Sequence, residues 1–146
     1  MCGIAGLSLV TTNKSLIKRF LNIKKSLFHR GPDGSGIYKK KNTSFIHTRL
    51  SIVDLKQGYQ PIKNKNLILI ANGEIYNDLK IRKKYSNYKF ITKSDSESIL
   101  AVYKTKGIDG FKELRGMYAF AIYDEEKDEI IISRDEFGIK PLYFAQ

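Results

Sequence analysis

The hydrophobic pattern of the chain changes period several times, and each change marks an element. Ile4 to Val10 is a short apolar run bracketed by Gly3 and Gly6 and followed by the turn-like Thr11-Thr12-Asn13, so it predicts a buried strand with Cys2 at its start. From Asn13 to Phe28 the apolar positions Leu16, Phe20, Ile23 and Leu27 fall at helical spacing, while Lys18, Lys24 and Lys25 can face water. That is an amphipathic helix, and it ends before Arg30-Gly31-Pro32-Asp33-Gly34-Ser35-Gly36, read as a loop because Gly and Pro break regular structure. Phe45 to Ile52 predicts a second strand, 54–61 a loop, and Leu67 to Ala71 a third strand running into a turn at Asn72-Gly73-Glu74. Asn77 is placed to cap a short helix through Lys84. Ser94 and Glu97 have capping-box spacing ahead of a second one, whose Ile99, Leu100 and Tyr103 lead to Gly107. Met117 to Tyr123 and Glu129 to Ser133, joined by five charged residues, form a hairpin pattern, and their near-continuous apolar character predicts strands covered on both faces.

This order of elements predicts an α+β fold with largely antiparallel sheets, without repeats or low-complexity segments. At 146 residues it is one domain, 1–146, long enough for its own core. No apolar stretch approaches the roughly 18 residues of a membrane span. The apolar N-terminus has no leading positive charge, so it does not read as a signal peptide and the expected address is the cytoplasm.

The net charge of +11 raises nucleic-acid binding as a candidate. Against it, only six of the 26 basic residues are arginine, and the twenty lysines are scattered. Planar, bidentate base readout favours arginine, so a lysine-rich solvated surface is the preferred reading.

A single cysteine excludes an intrachain disulfide and a paired-cysteine metal site. Cys2 taken alone reads as a small apolar residue at a strand start. As a nucleophile it needs a base, since a free thiol titrates near 8.5. His29 and His47 are the only histidines, and either would have to lie beside Cys2 in space. A nearer base exists if Met1 is trimmed, because the α-amino group of Cys2, titrating at about 7.7 to 8.0, then shares the residue with the thiol.

The whole constellation carries further: Met1-Cys2-Gly3-Ile4-Ala5-Gly6, Arg30-Gly31-Pro32-Asp33, Thr48-Arg49-Leu50-Ser51-Ile52-Val53-Asp54, Gln60-Pro61, Asn72-Gly73-Glu74-Ile75-Tyr76-Asn77, Ser94-Asp95-Ser96-Glu97 and Arg134-Asp135-Glu136-Phe137-Gly138-Ile139-Lys140-Pro141-Leu142-Tyr143. Across its whole length this closely resembles the class II, N-terminal-nucleophile glutamine amidotransferases, and within them the glutaminase domain of glutamine-hydrolysing asparagine synthetase. The resemblance implies an αββα sandwich of the N-terminal-nucleophile hydrolase type. It also implies hydrolysis of L-glutamine to glutamate and ammonia through a γ-glutamyl thioester on Cys2. The Asn72 side chain and the Gly73 N–H would hold the oxyanion. Arg49 would pair with the substrate's α-carboxylate and Asp95 with its α-ammonium, assisted by Glu74, while Leu50, Ser51, Ile52 and Val53 line the pocket through their backbone. Arg30, Pro32 and Asp33 would shape a nearby loop, and Arg134, Asp135 and Lys140 would be structural or interface residues.

The resemblance implies no cofactor or metal in this domain. ATP and Mg²⁺ are expected only in a synthetase domain or subunit that receives the ammonia, because no Ser-Gly-Gly-x-Asp-Ser loop occurs here. Ending at Phe144-Ala145-Gln146, the chain is also expected to lack C-terminal strands of the family's glutaminase domain. Beside the enzyme stands an alternative, a truncated non-catalytic domain acting as an interaction module.

Overall fold

In a computed structural model, residues 1–11, 13–51 and 58–146 are described. The chain runs β1 (Gly3–Ser8), α1 (Lys14–Leu27), a 3-10 turn (Phe28–Arg30), β2 (Gly34–Lys40), β3 (Thr43–Arg49), β4 (Ile62–Asn64) and β5 (Leu67–Ile75). Then follow α2 (Asp78–Lys84), α3 (Glu97–Lys106), a second 3-10 turn (Gly107–Glu113), β6 (Gly116–Asp124) and β7 (Glu129–Arg134). One sheet has the order β1-β3-β2 and the other β4-β5-β6-β7, with antiparallel pairing throughout both. The α+β expectation therefore holds.

Two apolar layers explain the stacking. Successive side chains of a strand point to opposite faces, so β5 sends Leu67, Leu69 and Ala71 one way and Ile68 and Ile70 the other. The first set packs with Ile99, Leu100 and Val102 of α3 and Ile81 of α2, and the second joins Phe45 of β3, Ala121 and Tyr123. Helix α1 covers the outer face of the first sheet, where the Thr48 hydroxyl donates to the Leu27 carbonyl at 3.0 Å. The layers are helix, sheet, sheet, helices, the αββα sandwich that the resemblance implied.

Several local expectations are corrected. The Asn72-Gly73-Glu74 turn does not form, because β5 continues to Ile75 with Asn72 opposite Ala119, Gly73 opposite Tyr118 and Glu74 opposite Met117. Gly73 permits this close approach, since a Cβ there would overlap the Met117 carbonyl oxygen. The second half of the Arg30–Gly36 loop is the start of β2, recruited by pairing with β3 although its glycines carry no strand signal of their own. In α1 the buried positions are Ile17 and Phe20, whereas Leu16 and Ile23 are exposed, so the stripe keeps Phe20 but runs through Ile17 in place of Leu16.

Asn77 precedes α2 without capping it. Its side chain instead donates to the Glu113 carbonyl and accepts from the Arg115 N–H, both at 2.9 Å, clipping the end of β5 to the entry of β6. The capping box is replaced as well. Glu97, fully buried, accepts from the Ile91 and Thr92 N–H groups at 2.9 and 2.7 Å, from the Thr92 hydroxyl at 2.8 Å and from the Asn64 amide at 3.2 Å. Both-face coverage holds for β6 but not for β7, an edge strand with Ile132 exposed.

A carboxylate satisfied by four donors is costly to delete, because the donors are left buried and unpaired. Glu97→Ala is therefore expected to lower unfolding free energy by about 3 kcal/mol in urea denaturation, with Glu97→Gln less severe. A loss in the alanine variant well under about 1 kcal/mol, the level of a surface substitution, would show that this network is not a structural clamp.

Candidate active site

The same alternation that builds the core delivers polar residues to one end of the seam between the sheets. Along β3, Phe45, His47 and Arg49 share the inner face, and on β5 Ile68, Ile70, Asn72 and Glu74 do so. Ile4 pairs with His47 in register, so Cys2, two residues before Ile4, points the same way. The apolar pairs fill the seam and the polar ones surround a cavity of about 110 Å³ at its end, lined among others by Met1, Cys2, His47, Arg49, Leu50, Gln60, Asn72, Gly73, Glu74, Asp95 and Lys140.

Cys2 is partly exposed. Its Sγ receives the Leu50 N–H at 3.4 Å and lies 3.7 Å from the Leu50 carbonyl, while the Arg30 guanidinium donates to the Cys2 carbonyl at 3.1 Å. Arg30 is therefore a clamp on the backbone of the thiol-bearing residue. Asp33 accepts the Ser51 N–H at 2.7 Å and donates its own N–H to the Arg49 carbonyl at 3.0 Å, tying down the end of β3. Arg49 is buried, its guanidinium stacked over the Tyr59 ring at 4.7 Å from the centroid.

Along β5, backbone N–H groups alternate in direction as well. The Ala71 N–H points away from β6 and donates to the Gln60 side chain at 2.6 Å, past the end of β4; the Ile75 N–H points the same way and donates to Asp95 at 2.6 Å. Gly73 lies midway between them, so its N–H points out on that same side, at the cavity wall, with the Asn72 side chain next to it. Burial pushes the Asp95 carboxyl upward, an effect partly offset by the Ile75 N–H it accepts.

Of the residues singled out from the sequence, Cys2, Arg49, Leu50, Asn72, Gly73, Glu74 and Asp95 converge on the cavity. Ser51 does not line it, and Ile52 and Val53 lie outside the described residues. Sequence reasoning missed Gln60 and Lys140 as wall residues. It left His47 open, although the spacing of His47 and Arg49 in a strand already put them on one face. Among the described residues, no group of three or more His, Cys, Asp and Glu side chains is placed to hold a metal ion, and no helix is long and apolar enough to cross a membrane.

His47 is fully buried, and among the described residues neither ring nitrogen has a hydrogen-bond partner. Burial lowers its pKa to about 4. The Ala71 backbone offsets part of this without either nitrogen reaching ordinary hydrogen-bond geometry, and the nearby Arg49 charge lowers it further. At neutral pH the ring is therefore uncharged.

A four-layer sandwich with a thiol at the start of its first strand, facing a polar cavity at the seam's end, has the architecture of an N-terminal-nucleophile hydrolase. Over residues 1–146 the sequence matches the family described as the glutamine amidotransferase domain. It is 48% identical to asparagine synthetase B [glutamine-hydrolyzing] of Escherichia coli, over 99% of this chain and 27% of that protein. A probable asparagine synthetase [glutamine-hydrolyzing] of Schizosaccharomyces pombe is 42% identical over 98% of the chain and 26% of its own length. Asparagine synthetase [glutamine-hydrolyzing] 2 of Bacillus subtilis is 36% identical over the full chain and 20% of its own length. The chain belongs to the glutamine amidotransferase domain family and corresponds to the glutaminase portion of these synthetases, spanning about a quarter of their length. Glutamine is the substrate of such a domain.

The His47 environment has a measurable consequence. The folded ring titrates near 4 and the unfolded one near 6.5, so between those values the unfolded chain binds more protons and stability falls as pH drops from 6.5 towards 4. The loss attributable to His47 is about 3 kcal/mol. His47→Leu is expected to flatten this part of the stability–pH curve in urea titrations; parallel curves for the two proteins would contradict the assignment.

Proposed function

We propose that this chain hydrolyses L-glutamine with Cys2 as nucleophile and the α-amine of Cys2, exposed by removal of Met1, as general base. The observation that carries this reading is the convergence on one cavity of a thiol, two candidate oxyanion donors and charges of both signs. The amine takes the thiol proton as sulfur attacks the side-chain carboxamide carbon. The oxygen of the tetrahedral intermediate is held by the Asn72 side chain and the Gly73 N–H, and the direction of that N–H favours this role. The C–N bond then breaks, the ammonium returns its proton to the leaving nitrogen, and ammonia departs from a γ-glutamyl thioester. Water, deprotonated by the same amine, cleaves the thioester to glutamate and restores the thiol.

Arg49 pairs with the α-carboxylate of glutamine, and Asp95 with Glu74 takes the α-ammonium. Thiol acylation of this kind needs no cofactor. The relatives' names, glutamine-hydrolysing asparagine synthetases, support delivery of the ammonia to asparagine synthesis. An ATP-dependent synthetase domain or subunit as the receiver, with ATP and Mg²⁺ bound there and aspartate as acceptor, is part of the same proposal. The proposed location is the cytoplasm.

Glutamate release by the Met1-free chain tests the reading. Cys2→Ala is expected to abolish it and Asn72→Ala to lower kcat by a factor on the order of 10² to 10³ with little change in KM. Absence of turnover in the folded, Met1-free wild type would favour the non-catalytic interaction module instead.

A further inference from the structure

Lys140 follows the turn after β7. Asp135 holds that turn, accepting the Ile139 N–H at 2.9 Å and the Lys140 N–H at 3.0 Å. Lys140 is only 6% exposed and lines the Cys2 cavity. Buried ammonium groups are ordinarily paired with a carboxylate. Among the described residues Lys140 makes no ion pair, and its ammonium instead donates to the thioether sulfur of Met1 at 3.1 Å. A thioether is a weak acceptor. The charge is thus buried against the very residue whose removal creates the proposed base.

Five covalent bonds separate the Met1 sulfur from the Cys2 nitrogen, a span of at most about 6 Å. The ammonium therefore lies within roughly 9 Å of that nitrogen. With Met1 gone, the sulfur partner is lost and the ammonium faces the new amine across the cavity. A like charge at this range disfavours a protonated amine and favours an ionised thiol.

We propose that Lys140 is a positioning residue of the site, whose ammonium, released from the Met1 sulfur, keeps the α-amine of Cys2 in its neutral, proton-accepting form near neutral pH. This rests on the reading that Met1 is removed and that the amine is the base. The other charged or titratable groups around Cys2, among the described residues, are Arg30, tied to the Cys2 carbonyl; Asp33, bonded to the Ser51 N–H; His47 and Arg49 on β3; Glu74 on β5; and Asp95 ahead of α3. Arg30 and Arg49 act in the same direction as Lys140, while the carboxylates oppose it. Lys140 is a cation whose contact changes when Met1 leaves.

The test is the pH profile of kcat/KM for glutamine in the Met1-free wild type, Lys140→Met, Lys140→Gln and Lys140→Arg, each checked for folding by circular dichroism. Loss of the charge is expected to move the acidic limb up by about one pH unit, so that activity at pH 6.5 falls severalfold while the plateau at high pH is little changed. Lys140→Arg, which keeps the charge, is expected to hold the wild-type midpoint. Profiles that superimpose overturn the proposal. So does a pH-independent rise in KM, which would make Lys140 a contact for the substrate carboxylate. If the wild type does not turn over glutamine, the functional reading fails separately, and an NMR titration of the Cys2 α-carbon resonance, which follows protonation of the α-amine, decides the Lys140 claim. A higher midpoint in the charge-removed variants upholds it, and an unchanged one overturns it. Should Lys140→Met not fold, Lys140→Gln carries the comparison.

Discussion

Face-to-face packing of two antiparallel sheets imposes the constraint on which the site depends. Because side chains alternate at every residue, the packing that buries Phe45 and Ile70 in the seam also commits His47, Arg49, Asn72 and Glu74 to the same inner faces. A slip of one residue in the β1–β3 or β5–β6 register would turn the whole set outward. The core thereby fixes the position of the polar groups, and the cavity needs no separate scaffold.

The backbone of β5 extends the same logic to hydrogen bonds. Its outward N–H groups at Ala71 and Ile75 are claimed by side chains from two other segments, Gln60 before β4 and Asp95 before α3. These two bonds replace the ladder that β4 is too short to supply, and they leave Gly73 between them. Glu97 and Asn77 serve from a greater distance: the first holds the 91–92 segment leading to Asp95, and the second pins the exit of β5 to β6. The peripheral polar contacts thus converge on the placement of two residues, Gly73 and Asp95.

Much of this was legible in the sequence wherever local pattern and tertiary environment agree. The helix starting after Asn13 is capped by that residue's side chain, which accepts the Leu16 N–H, and the Met117–Ser133 hairpin follows its apolar runs. Where they disagree, tertiary pairing prevails. Asn72-Gly73 has strong turn chemistry, yet β6 offers a continuous partner and the missing Cβ lets it come close. Gly34 to Gly36 look like loop residues until β3 pairs with them. At the site, Cys2, Arg49, Asn72 and Asp95 were readable through the resemblance, whereas Gln60 and Lys140 reach the cavity from loops whose paths no periodicity reports.

Whether this cavity binds glutamine and presents Cys2 to its carboxamide is tested most directly by the intact mass of the Met1-free chain after incubation with an electrophilic glutamine analogue. One adduct is expected on the wild type, suppressed by excess glutamine and absent from Cys2→Ala. No adduct on the folded wild type, or an equal adduct on Cys2→Ala, would contradict that role for the cavity and Cys2.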